Sequence, residues 1–155
     1  MSKGAINFSE KVEYFTPKCI LDTFGRFDYD PATTEEIAKE HGISQYDTIK
    51  TDGLTSDWTP FKRIWINPPF TLKKDFLRKA QETYDKTGAD IFILLPISYL
   101  TTKQFHDVCR GGRVFLPNGR IKFQSGEVLK SPAFGSVIVK LEKEWSITTL
   151  NLERK

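Results

Sequence analysis

The chain has 155 residues, of which 39% are apolar and 28% charged, and a formal net charge of +3. That balance fits one globular domain with a sizeable core and argues against a disordered or fibrous chain. The longest apolar run, Ile91 to Ile97, falls far short of the ~20 residues that cross a bilayer, and the first residues lack a signal-peptide core, so a cytoplasmic protein with no membrane partner is expected.

Two cysteines, Cys19 and Cys109, and two histidines suggest neither a disulfide framework nor a zinc set, so no metal site is expected and both cysteines read as packing residues. Charge is unevenly spread. Residues 20–60 carry nine acids against three bases, and residues 101–140 carry seven bases against two acids. An acidic half suits a cationic ligand and a basic half a phosphate backbone, although solvated helix faces and surface loops give the same counts.

In chain order, Pro17 to Phe24 reads as a short helix with proline at its start and Gly25 just past its end. "FDYDP" reads as a short strand closed by Pro31, and Thr33 or Thr34 caps the helix "EEIAKEHG" that Gly42 stops. Residues 43–60 have weak periodicity and many turn formers, so mostly irregular structure is expected there. Arg63 to Asn67 reads as a strand. "TLKKDFLRKAQETYDKTG" follows as an amphipathic helix, with Leu72, Phe76, Leu77, Ala80 and Tyr84 on one stripe, Thr71 as a possible cap and Gly88 as terminator.

"DIFILLP" is continuously apolar and reads as a strand buried on both faces. Thr101 to Arg110 reads as a helix ended by two glycines, and "RVFLP", "RIKF", "FGSVIVKL" and "WSITTL" as further strands, with a hairpin at Asn118-Gly119. Strands separated by helices of this length predict an α/β sheet with helices on its faces and a more antiparallel C-terminal part. Ligands of such sheets bind beyond the carboxyl ends of the strands, where Asp28–Pro31 and Asn67–Phe70 fall.

The segment "NPPF", Asn67 to Phe70, has a chemistry of its own. Two prolines make the turn stiff and remove two backbone donors. The Asn67 amide and the Pro68 carbonyl are two acceptors for the hydrogens of one amino group, and Phe70 offers a face to a planar ring. Stacking of a base on an aromatic ring is worth roughly 1–3 kcal/mol, enough to offset a good part of the cost of extruding it from a duplex. Acceptors out of the ring plane localise the amine lone pair for in-line attack on a methyl group, without a strong base. As a structural alternative, Asn-Pro opens turns and Pro-Pro ends strands.

Several blocks in order resemble the small phage-type DNA N6-adenine methyltransferases, a Dam-like family of bacteriophages and prophages. They are "YFTP" at 14–17, "FDYDPAT" at 27–33, Trp58, "IWINPPF", "ILLP" at 93–96, "GRIKF" at 119–123 and "SPAFGSVIV", and they span about Tyr14 to Lys140. The resemblance implies a single-domain Rossmann-like S-adenosylmethionine-dependent methyltransferase sheet of reduced size, with helices on both faces. It implies transfer of a methyl group to the N6 amine of adenine in double-stranded DNA within a bacterial host. Catalysis would fall to Asn67, Pro68, Pro69 and Phe70, around a flipped base.

Residues Tyr14, Phe15, Thr16 and Pro17 would line the cofactor pocket. Asp30, Pro31 and Ala32 would stand where other methyltransferases carry a glycine-rich loop, with Asp30 toward the cofactor's ammonium, and Asp52 is a further cofactor candidate. Lys73, Arg113, Arg120 and Lys122 are the candidate DNA contacts. On this reading residues 12–60 form the cofactor side, 63–70 the catalytic strand and turn, and 97–140 the DNA-facing segment. Asp30 as an Asx turn, Thr16-Pro17 as a bare helix start, and Arg120 and Lys122 as a solvated hairpin are the structural alternatives. Cytosine N4, RNA or glutamine as methyl acceptor, or a silent DNA-binding homologue, remain open, as does the choice between monomer and homodimer.

Overall fold

In a computed structural model, residues 16–125, 128–130 and 135–152 are described, with backbone alone at 123–125 and 128–130. Three strands run side by side from the middle of the chain outward: β1 (Arg63–Ile66), β2 (Asp90–Pro96) and the returning β6 (Ser136–Leu141). β3 (Gly112–Pro117) and β7 (Ser146–Leu150) complete a five-stranded sheet of order β1-β2-β6-β3-β7. β1 and β2 are parallel, β6 is antiparallel to both β2 and β3, and β7 is parallel to β3. A separate antiparallel pair joins β4 (Phe123–Ser125) to β5 (Val128–Lys130).

Alternation along the strands divides the core in two, because successive side chains point to opposite faces. Ile64, Ile66, Ile91, Ile93 and Leu95 pack on one face, against Phe76, Leu77 and Ala80 of α3 (Lys73–Thr87) and Phe105 and Val108 of α4 (Lys103–Val108). Trp65, Phe92, Leu94 and Ile138 pack on the other, against Ile20 and Leu21 of α1 (Lys18–Phe24). Helices therefore cover both faces, as the continuous apolar run of β2 predicts.

Local signals place most boundaries. The Thr34 hydroxyl accepts from Ile37 N at 3.2 Å and caps α2 (Glu35–His41), and Gly42 and Gly88 close α2 and α3 in the left-handed region. Pro17 precedes α1. No helix among the described residues is long and apolar enough to cross a membrane.

Several expectations change. Thr71 does not cap α3: a 3-10 turn over Phe70–Leu72 leads straight into it, and Leu72 takes the cap position without a side-chain bond. The strand at "FDYDP" shrinks to a parallel bridge between Tyr29 and Ile64, because Asp30 at once bridges to Tyr46 on its other side and Pro31 ends the pairing. Residues 45–47 are thereby drawn into extended pairing that their weak periodicity did not signal.

"RIKF" is not a strand up to Phe123, and Asn118-Gly119 does not close a hairpin from β3. Asn118 continues along β7 instead, its N–H donating to Leu150 O at 3.0 Å and its side-chain oxygen accepting from Leu152 N at 3.1 Å. Gly119 is not among the described glycines with positive φ. Cys109 is a buried packing residue whose thiol is pushed up to about 11 by burial, but Cys19 is exposed on α1, contrary to the packing role expected of it.

Candidate active site

β1 is short and fully paired on its β2 side, and the backbone then meets two prolines that cannot donate to a ladder. The turn so formed stands at the carboxyl end of β1. Pro69 is buried, Asn67 and Pro68 are half-buried, and Phe70 is 48% exposed. Pro69 O accepts from Leu72 N at 2.9 Å, and Phe70 O accepts from Lys73 Nζ at 3.1 Å. Two carbonyls of the turn are thus already bonded within the protein, and neither is the Pro68 carbonyl named above as an acceptor.

The Asn67 side chain is aimed by a residue far away in sequence. Its Nδ2 donates to Thr16 Oγ1 at 3.3 Å, which turns the amide oxygen to the opposite edge of the group. Thr16 is 1% exposed, and its carbonyl lies 2.8 Å from His41 Nε2 at the end of α2. Thr16 and Pro17 therefore lead into a helix, and Thr16 also meets the turn. Tyr14 and Phe15 lie outside the described residues.

Lys73 lies inside this neighbourhood. Its ammonium is 4.0 Å from the Phe70 ring centroid and 5.0 Å from that of Tyr99, and burial holds its pKa below the usual lysine range. Tyr99 comes from the 3-10 turn that follows β2, so the ends of two adjacent parallel strands contribute to one cluster.

Asp30 occupies the next position along the same edge, on the segment bridged to β1. It is 2% exposed, and its Oδ1 accepts from Ala32 N at 2.9 Å, so the Asx turn does form. Burial lifts the carboxyl to about 7, and that backbone bond lowers it only in part. Pro31 is buried against Gly53: an ideal Cβ on Gly53 would stand 2.0 Å from Pro31 O. That close approach brings the Asp52 turn up to Asp30–Ala32. Asp52 is exposed, at φ 57, and its Oδ1 accepts from Leu54 N at 3.2 Å, capping the 3-10 turn Gly53–Thr55.

Sequence reasoning missed several members of this neighbourhood, Tyr99, Tyr29, Asp47 and His41 among them. Asp47 lies beside Asp30, with Asp47 N donating to Asp30 O at 2.9 Å, and its carboxylate accepts a hydrogen bond from the Tyr29 hydroxyl. Burial pushes Asp47 up, but the bonds from Tyr29, Ser56 and Thr51 and the charge of Lys79 outweigh it and hold the group below the usual carboxylate range. Burial and the Asp47 carboxylate push the Tyr29 phenol far upward. The acid-rich composition of residues 20–60 was the only available sign of Asp47. His41 carried none, since it reads as the last residue of a capped helix.

The structure does not bring all the basic candidates to this edge. Arg113 is three strands away from β1, about 14 Å at ordinary strand spacing. Its Nε is 3.9 Å from Glu142 Oε2, at the end of a chain of pairs running through Lys140 and Asp90 to Arg63 near the opposite end of the strands. Arg120 and Lys122 are exposed on either side of Ile121, which is 3% exposed and packed on the α1 face. β3 points the same way as β1, so these two residues follow it on the Asn67 side of the sheet. Among the described residues no cluster of three or more His, Cys, Asp or Glu is placed to hold a metal ion.

A family model described as DNA N-6-adenine-methyltransferase (Dam) matches residues 9–152. A protein of Escherichia phage T1, named DNA N-6-adenine-methyltransferase, is 26% identical over 125 residues, covering 70% of this chain and 50% of that protein. The chain thus spans about half the length of that curated relative. Among solved structures, a candidate class I S-adenosylmethionine-dependent methyltransferase of Listeria monocytogenes aligns with a TM-score of 0.42 and 15% identity, over 84% of this chain and 52% of that one.

Proposed function

We infer that this chain, which belongs to the DNA N-6-adenine-methyltransferase (Dam) family, transfers a methyl group from S-adenosylmethionine to the N6 amine of adenine in double-stranded DNA. The observation that carries this reading is the Asn67–Phe70 turn at the carboxyl end of β1, with the Asn67 amide held by Thr16 beside a half-exposed aromatic ring.

The site residues fit the cofactor's chemistry. A buried Asp30 carboxyl, lifted toward neutrality by lack of solvation, gains most from a cation brought alongside, and we assign it to the cofactor's ammonium. Thr16, Pro17, Pro31, Ala32 and Asp52 are assigned to the rest of the pocket, with Tyr14 and Phe15 as its remaining members. When bound, S-adenosylmethionine supplies an electrophilic methyl on a sulfonium.

Asn67 Oδ1 and Pro68 O are assigned to the two hydrogens of the adenine amine, and Phe70 to the face of the extruded base. Held this way, N6 presents its lone pair to the methyl carbon. Transfer would place the methyl on N6 with the former C–S bonding pair left on sulfur, and the extra N6 proton would pass to water. Lys73, beside the Phe70 ring, and Arg120 and Lys122, after β3, are assigned to the DNA.

The test is incubation of the purified protein with methyl-labelled S-adenosylmethionine and unmethylated DNA. Label on adenine N6 is expected, and Asn67→Ala should abolish it while cofactor affinity stays within about threefold. Label on cytosine or protein, or DNA binding with no label, overturns the reading.

A further inference from the structure

Behind Thr16 stands a histidine that the proposed chemistry does not use. His41 Nε2 lies 2.8 Å from Thr16 O. A carbonyl oxygen only accepts, so Nε2 carries the hydrogen, and in the neutral ring Nδ1 is the bare acceptor. Burial holds His41 below its ordinary pKa, against the opposing pull of the Thr16 carbonyl, so the neutral ring is the relevant form.

Nδ1 is buried and has no hydrogen-bond partner among the described residues. A buried acceptor without a donor lowers stability, and an apolar side chain at this position would avoid that cost. At Nε2 the ring supplies a donor to the carbonyl of a residue that is 1% exposed, which an apolar side chain would leave without one. What the ring does achieve is a fixed N–H at the one backbone carbonyl that precedes Pro17. Thr16 is gripped from two sides: its carbonyl by α2 through His41, its hydroxyl by the Asn67 amide.

We propose that His41 is a positioning residue for the Asn67–Phe70 turn, acting through Thr16. Its Nε2–H fixes the Thr16 backbone, and the Thr16 hydroxyl then holds the Asn67 amide with its oxygen toward the substrate amine. The chain of contacts joins the end of α2 to the end of β1 without passing through the sheet. The kinetic part of this inference rests on the methyltransferase reading; the structural part does not.

Two variants and a spectroscopic measurement test it. His41→Phe keeps a ring and removes the donor, whereas His41→Gln keeps a donor at similar reach. Nitrogen NMR of the wild-type imidazole should report hydrogen on Nε2 and a bare Nδ1. The Asn67 side-chain amide resonances should move in His41→Phe and stay in His41→Gln.

In the methyl-transfer assay, His41→Phe should lower kcat about tenfold or more with the KM for S-adenosylmethionine within about twofold, and His41→Gln should recover to within about threefold of wild type. A bare Nε2 in the wild-type ring overturns the proposal without any variant. So does an unmoved Asn67 amide in His41→Phe, or an equal loss of kcat in both variants. If wild type transfers no methyl group while the NMR results follow as stated, the enzyme reading fails and the positioning role stands.

Discussion

Asn67 and Thr16, 51 positions apart in the chain, meet through a 3.3 Å hydrogen bond from the Asn67 amide nitrogen to the Thr16 hydroxyl. One end of the amide is thereby committed to the protein, and the orientation of its other end is set by a side chain buried to 1% exposure. Thr16→Val removes the hydroxyl and keeps the shape. Loss of one hydrogen bond costs about 1 kcal/mol of stability, and a loosened amide should lower kcat about tenfold. Kinetics with saturating cofactor, alongside thermal unfolding, separate this from a general loss of fold: an unchanged kcat would show that Thr16 does not orient Asn67.

Asp30 makes stability depend on pH in an unusual sense for a carboxylate. Its pKa is raised on folding from 3.8 to about 7, so the folded state holds the proton more tightly than the unfolded chain. Its contribution is most favourable below the unfolded value, declines as pH rises from about 4 to about 7, and is level above that, with a total span of roughly 4 kcal/mol. In Asp30→Asn the side-chain oxygen still serves the Ala32 N–H, and this decline should vanish in urea unfolding measured at pH 5 and pH 8. Cofactor binding at pH 6.5 should release a proton in wild type and none in the variant, read by calorimetry in buffers of different ionisation enthalpy. Identical pH profiles for the two proteins would refute the assignment of a buried, protonated Asp30.

Gly53 has no room for a methyl group, since an ideal Cβ stands 2.0 Å from Pro31 O and 2.9 Å from Pro31 Cβ. Gly53→Ala must push the Asp52 turn off the Asp30–Ala32 segment, at about 2 kcal/mol. Cofactor affinity should fall about tenfold if that segment is the cofactor edge. Gly88→Ala is the control: φ there is +70 with nothing within 4 Å, so it strains the backbone far from the site and costs about 1 kcal/mol without touching affinity.

The basic residues should separate by salt dependence. Arg120→Ala and Lys122→Ala should each weaken DNA binding and reduce the slope of log affinity against log salt by about one unit. Arg113→Ala should leave the slope unchanged, because its guanidinium faces Glu142 in a pair network near the other end of the strands. A slope change for Arg113 equal to that for Arg120 would mean that DNA reaches across the whole sheet.

Where local chemistry decides, the sequence was readable. The Thr34 cap, the Gly42 and Gly88 terminators, the doubly buried β2 and the proline stop after β1 all stand where their residues put them. Reading failed where a segment's partner lay elsewhere. Asn-Gly at 118–119 is a strong hairpin signal, but β7 takes up the Asn118 N–H and side chain, and no hairpin forms there. Residues 45–47 lack any strand period, and pairing with Asp30 orders them all the same.

By itself the sequence determined the pieces: which segments are helix or buried strand, that a stiff turn with an amide, a carbonyl and a ring ends β1, and that acids precede this turn while bases follow it. Caps, periods and prolines act within a turn or two of chain, so they can be read in place. Only the tertiary structure decided that Thr16 holds Asn67, that His41 holds Thr16, that Asp47 lies against Tyr29 and Gly53 against Pro31, and that Arg113 lies near Glu142, away from the turn. Most of these pairs are separated by many residues and meet because of strand order and the sides on which the helices cross, which no local pattern encodes.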